Sequence, residues 1–186
     1  MLKKLAMAAC MLACVLLATE KGTAMAANLE DTLYLETKNG RVVIEMRPDL
    51  APRHVARIKE LARAKFYDGL KFHRVIAGFM VQTGDPNGDG TGGSGQKLPP
   101  EFNSESHVRG IVSMARAASP ASADSQFFIV LDDASYLDNK YTVWGKVTSG
   151  MDFVDMIKKG DSRRNGTVED PDQIVSMRVA ADVEKK

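Results

Sequence analysis

Cysteine is confined to the first 14 residues, at Cys10 and Cys14, so the rest of the chain can form no disulfide and offers neither a thiol nucleophile nor a zinc thiolate. Histidine is almost as scarce. His54, His73 and His107 stand far apart without metal-ligand spacing, which argues against a metal centre, and His73 reads as a hydrogen-bonded structural residue. No apolar run reaches the roughly 20 residues that a bilayer-spanning helix requires. Charge of one sign is also missing: 25 basic residues face 24 acidic ones, with no basic run of the kind that tracks phosphates. Nucleic-acid binding is therefore unsupported.

What is present at the start is the pattern of an export signal. Lys3 and Lys4 precede an apolar stretch from Leu5 to Ala18, Glu20 and Lys21 close it, and Ala24-Met25-Ala26 forms an A-x-A cleavage site. Residues 1–26 are read as a cleavable signal peptide and residues 27–186 as one domain. Lipoprotein processing at Cys14 is the weaker alternative, because Met11 suits such a site poorly and Val15-Leu16-Leu17 continues the apolar run. Removal of residues 1–26 takes both cysteines with it and leaves 22 basic and 23 acidic residues. Cysteine usage then says nothing of compartment, so the signal alone argues for export.

The domain opens as a hairpin, with Thr32–Glu36 and Arg41–Met46 as β-rich runs around Asn39-Gly40. After Pro48 the period changes. Val55, Ile58, Leu61 and Ala62 share a helical face, Pro52 suits a first-turn position, and the helix is expected to end near Gly69. Further strands are expected at Phe72–Ile76, Phe79–Thr83, Ile111–Ala115, Gln126–Leu131, Tyr141–Val147 and Gln173–Val179, with a second helix over Met151–Lys159. Eight strands with two helices can close into a barrel, whose interior could be filled or could hold a ligand.

Two motifs fail on context. Gly88-Asp89-Gly90-Thr91-Gly92-Gly93 fits the dinucleotide fingerprint but leads into Leu98-Pro99-Pro100, which cannot open a helix for a pyrophosphate. Gly92-Gly93-Ser94-Gly95-Gln96 misses the hydrolase elbow because Gln96 stands where glycine is needed.

The most informative stretch is Phe72-His73-Arg74-Val75-Ile76-Ala77-Gly78-Phe79-Met80-Val81-Gln82-Thr83-Gly84-Asp85, where a permanent cation lies among apolar and aromatic side chains. An arginine that keeps its proton can hydrogen-bond an amide without any transfer of its own. Alone, Arg74 would read as a surface residue paired with a carboxylate. The stretch resembles the signature of the cyclophilin family of peptidyl-prolyl isomerases, however. The resemblance continues in family order through Gly90-Thr91-Gly92-Gly93, Ser113-Met114-Ala115, Ser125-Gln126-Phe127-Phe128-Ile129 and Tyr141-Thr142-Val143-Trp144-Gly145-Lys146-Val147, spanning about Thr32 to Val179.

That resemblance implies a mainly β fold: a closed, side-chain-filled, eight-stranded antiparallel barrel capped by two α-helices, with the site on its outer surface. It implies isomerisation of X-Pro bonds without a cofactor or metal. Arg74 matches the catalytic arginine. Phe79, Met80, Phe128 and Leu137 match the proline slot, and Gln82 and Gln126 match positions that bond the substrate backbone. Ala115, Arg116 and Ala117 match the edge against which substrate lies, and Gly90 lines the neighbouring groove. Tyr136, Tyr141 and Arg116 stand where many eukaryotic members carry Trp, His and Asn, which resembles exported bacterial cyclophilins. A periplasmic monomer acting on exported proteins, with weak cyclosporin binding, is the expectation. A proline-peptide-binding chaperone on the same fold is the alternative.

Overall fold

The computed structural model describes residues 28–184, so the expected signal, its cleavage site and Cys14 lie outside the described residues. The β-rich runs resolve into eight strands: β1 (Thr32–Thr37), β2 (Gly40–Met46), β3 (Arg74–Ile76), β4 (Met80–Thr83), β5 (Ile111–Met114), β6 (Phe127–Val130), β7 (Val143–Ser149) and β8 (Ser176–Val179). Every strand pairing is antiparallel, in the order β3-β4-β6-β5-β7-β2-β1-β8. The β1–β2 turn falls where Asn39-Gly40 predicts it. Thr37 Oγ1 accepts the N–H groups of Asn39 and Gly40, both at 3.2 Å, and a Cβ at Gly40 would come within 2.6 Å of the Phe153 ring.

The ladder does not close. The sheet curls, but its edge strands β3 and β8 do not pair, which corrects the closed barrel to an open, curled sheet. The reason lies in what already occupies the free edge of β3. Val75 donates its N–H to Gly166 O at 2.8 Å, Gly160 donates to Val75 O at 2.9 Å, and Val168 donates to His73 O at 3.1 Å. Only the segments ahead of the two edge strands meet, through Gly69 N–H to Ile174 O, Phe72 N–H to Asp172 O and Ile174 N–H to Leu70 O. The edge strand is thus covered by a loop, one of the ways a protein blunts an exposed edge.

Three helices accompany the sheet where two are expected: α1 (Pro52–Arg63), α2 (Met151–Asp155) and α3 (Ala180–Val183). Helix α1 starts on Pro52 but stops six residues before Gly69. Lys65 takes a left-handed backbone, and the N–H groups of Lys65 and Phe66 cap the carbonyls of Ala62 and Leu61. At the other end Ala51 has no side chain to cap with, so Glu101 accepts the N–H groups of Arg53 and His54 across the chain. Helix α2 is also short, because Asp172 captures the Lys158 amide and the Lys159 ammonium fills the carbonyls of Asp155 and Ile157.

Neighbouring residues on β6 serve opposite faces. Phe127 is buried inside the curl, edge-on to both Tyr67 and Trp144, within the main core. Phe128 points outward into a smaller apolar cluster with Met80, Val130, Leu137 and Val143. No helix among the described residues is long and apolar enough to cross a membrane.

Candidate active site

Strand register builds the site. Arg74 on β3 lies opposite Gln82 on β4, Gln82 lies opposite Phe128 on β6, and Phe128 lies opposite Ser113 on β5. Directly opposed residues sit about 5 Å apart, so one row across the outer face carries a cation, an amide and an aromatic ring. Met80, two residues before Gln82, shares that face.

A hollow of about 370 Å³ opens along this row, lined among others by Arg74, Phe79, Met80, Gln82, Phe128 and Leu137. Gly90, Ala115, Arg116 and Tyr141 complete the predicted members of its wall. A second hollow of about 280 Å³ adjoins it, sharing Gln82, Gly90, Ala115 and Arg116 and adding Ala117 and Gln126. Tyr136 lines neither; it stands at the rim, 59% exposed, its ring 5.8 Å from that of Phe79. The structure therefore gathers the predicted residues on one face. It also brings in Asn165 and Thr167, which sequence reasoning missed because an Asn-Gly turn 91 positions after Arg74 carries no local sign of the site.

Arg74 is half-buried, and no carboxylate among the described residues pairs with it. Its Nε donates to Asn165 O at 3.0 Å, Nη2 to Asn165 Oδ1 at 2.9 Å and Nη1 to Gln82 Oε1 at 3.1 Å. Burial draws its pKa below the ordinary value, yet a guanidinium keeps its charge in proteins. From Gln82 the chain of bonds runs on: Gln82 Nε2 donates to Gln126 Oε1 at 2.9 Å, and Gln126 Nε2 donates to Gly92 O at 2.8 Å and Gly90 O at 3.1 Å. The glycine-rich loop is held in turn by the buried Asp85 carboxylate, which accepts the N–H groups of Asn87, Asp89 and Gly90.

The aromatic wall is braced from both sides. Tyr141 stands edge-on to Phe128 at 5.9 Å, and the Arg116 guanidinium lies 4.6 Å over the Tyr141 ring. Behind Phe128 the buried His107 stacks at 6.2 Å, with Nδ1 on Asp138 and Nε2 on Ser113. His73 is buried and lines the hollow beside Arg74, its ring next to the Lys71 backbone. Burial lowers its pKa against the opposing pull of Asp85, so the ring sits there neutral.

The outer face thus sets an apolar hollow beside a fixed cation and a line of linked side-chain amides. The chain belongs to the cyclophilin-type peptidyl-prolyl cis-trans isomerases, with residues 32–179 matching the family described as "Cyclophilin type peptidyl-prolyl cis-trans isomerase/CLD". It is 54% identical over 172 residues to a probable peptidyl-prolyl cis-trans isomerase of Brucella suis, covering 86% of this chain and 88% of that one. Peptidyl-prolyl cis-trans isomerase B of Bacillus subtilis is 43% identical over 138 residues, covering 73% of this chain and 96% of that one. Among solved structures, cyclophilin AquaCyp293 from Hirschia baltica superposes with a TM-score of 0.77 at 29% identity, covering 86% of this chain and 77% of that one. A Cryptosporidium parvum cyclophilin crystallised in the presence of the dipeptide Ala-Pro superposes at 0.73 with 27% identity, covering 80% and 98%. The chain is thus a cyclophilin-type peptidyl-prolyl cis-trans isomerase.

Proposed function

We propose that this isomerase accelerates rotation of X-Pro bonds in exported proteins as they fold, with Arg74 stabilising the twisted amide and the slot of Phe79, Met80, Phe128 and Leu137 holding the proline. Rotation must break amide resonance, a barrier of about 18–20 kcal/mol. In the half-rotated state the imide nitrogen pyramidalises and gains a lone pair. A donor aimed at that lone pair binds the transition state better than either planar form, which is the condition for acceleration. Lowering the barrier by about 6–7 kcal/mol would make a process of tens of seconds roughly 10⁵-fold faster.

The observation that carries the reading is the state of Arg74: a guanidinium in the same hollow as the apolar slot, fixed by three neutral acceptors. Five N–H bonds less three leaves two for substrate. Gln82 and Gln126, already linked, supply amides that grip the peptide backbone. The protein works in the periplasm after removal of residues 1–26, a reading supported by the basic, apolar and A-x-A pattern of the first 26 residues. Its substrates are unfolded or partly folded proline-containing chains.

The test is an Ala-Pro peptide assay of cis–trans exchange with Arg74→Ala. The expected outcome is a rate loss of at least tenfold with unchanged melting. Arg74→Lys should also be damaging, since a compact ammonium lacks the planar fork. A variant that binds the peptide and exchanges it at the wild-type rate would remove Arg74 from the mechanism, and loss of folding would make the residue structural.

A further inference from the structure

We infer that Asn165 is a positioning residue for the isomerase reaction, a clamp that fixes the plane of the Arg74 guanidinium; this rests on the role given to Arg74 above. One residue holds two of the three occupied N–H bonds. The Asn165 carbonyl takes Nε–H and its side-chain Oδ1 takes Nη2–H, so a single acceptor pair spans one edge of the guanidinium. Gln82 secures Nη1. With Nε and both terminal nitrogens restrained, rotation about the Nε–Cζ bond is blocked, and the two remaining N–H bonds keep one direction.

The clamp is itself held firmly. Asn165 has a left-handed backbone, φ 54°, which asparagine tolerates better than most residues. Gly166 follows at φ 80°, where a Cβ would strike Ile76 Cγ1. The loop is tied at both ends to β3, the strand that carries Arg74, through Val75 N–H to Gly166 O and Gly160 N–H to Val75 O. Across its base Asp161 N–H donates to Thr167 O and Gly166 N–H to Asp161 O, while the Asp161 carboxylate accepts the Arg163 amide. The loop that blunts the sheet edge therefore delivers Asn165 to the donor. Pre-organised donors need no rearrangement when charge develops, which is where an aligned guanidinium gains over a mobile one.

Asn165→Gly keeps the left-handed backbone and the main-chain acceptor but removes Oδ1. It should fold with a melting temperature near wild type, lose three- to tenfold in kcat/KM through kcat with KM little changed, and show faster rotation about the Arg74 Nε–Cζ bond in ¹⁵N resonances of its terminal nitrogens. Asn165→Asp, which restores an acceptor at the same place, should recover slow rotation. In an Arg74→Ala background Asn165→Gly should cost nothing further, the signature of two residues acting as one unit. Equal losses in both backgrounds, or unchanged Arg74 rotation in Asn165→Gly, would overturn the inference. The rotation measurement reads the guanidinium without activity, so a failure of the Arg74 mechanism would show as full activity in Arg74→Ala while leaving this result separate.

Discussion

Gln82 does two jobs at one position, accepting from Arg74 and donating to Gln126, and its amide is what allows both. Gln82→Glu keeps the size but loses the donor and sets a carboxylate against the guanidinium. A charge-assisted pair would hold Arg74 harder and spend its positive field on the protein instead of the substrate. We expect at least a tenfold drop in kcat/KM in the Ala-Pro assay, with no loss of thermal stability. A wild-type rate would mean that the charge balance around Arg74 is immaterial. Tyr136 offers a second test at this scale: it puts a phenol at the rim where, by the family resemblance, many eukaryotic members carry a tryptophan whose indole N–H holds cyclosporin. Weak inhibition by the drug and a tighter inhibition constant in Tyr136→Trp are the expected pair of results, read by titration. That Met80 and Gln82 share a face was legible because two-residue spacing on a short strand sorts faces, whereas Arg74 joined them through the family resemblance and its register opposite Gln82 is a finding of the structure. Their outward direction came only from the family resemblance. Asn165 escaped because its partner lies far along the chain and joins it through a loop.

Helix α1 shows how an element can depend on a distant residue. Its N-cap position is Ala51, so the orphan N–H groups of the first turn go to Glu101, whose Oε2 also takes the Nδ1–H of the buried His54 at 2.7 Å. Burial pushes the Glu101 carboxyl up, but the bonds from the His54 ring and the two amides outweigh it and hold its pKa below the ordinary range. The His54 ring, by contrast, is pulled down by burial despite the carboxylate beside it. A histidine with a depressed folded pKa adds stability that is complete above its unfolded value, about 6.5. That stability is lost as pH falls below it, because the unfolded chain binds the proton first. His73 contributes in the same direction. The urea midpoint should therefore drop between pH 7 and pH 5, and His54→Asn, which keeps a donor for Glu101, should flatten the slope. A midpoint independent of pH in that window would contradict the neutral buried rings. Element type was legible from β-rich runs bounded by turn residues, as the eight strands show, and from helical period in α1. Element ends were not: Lys65 in a left-handed turn ends α1 without the glycine that usually marks such a stop, and Asp172 ends α2 from another segment.

At the scale of the molecule, the main core and the proposed site occupy opposite faces of one sheet, and the change of face takes a single residue. Phe127 is buried in the main core between Tyr67 and Trp144, whereas Phe128 closes the outer hollow against Tyr141, Met80 and Leu137. The sheet can therefore be damaged on either side separately. Phe127→Ala removes a ring from the close-packed interior and should cost about 3–5 kcal/mol. For a domain of this size that corresponds to a melting temperature lower by roughly 6–20 °C. The folded fraction should still isomerise Ala-Pro peptides at a near wild-type rate, because Arg74, Gln82 and the slot face away from the lost ring. Phe128→Ala should behave in the reverse way. The outer cluster is smaller and opens to solvent, so the stability loss should fall at or below the bottom of that range, while kcat/KM per folded molecule falls at least tenfold as the proline loses its floor. Denaturation curves and activity normalised to folded protein, measured on both variants, give a two-by-two comparison. If the two substitutions lowered activity per folded molecule equally, the curled sheet would be a coupled whole, and the outer row could not be treated as a site mounted on an independent core.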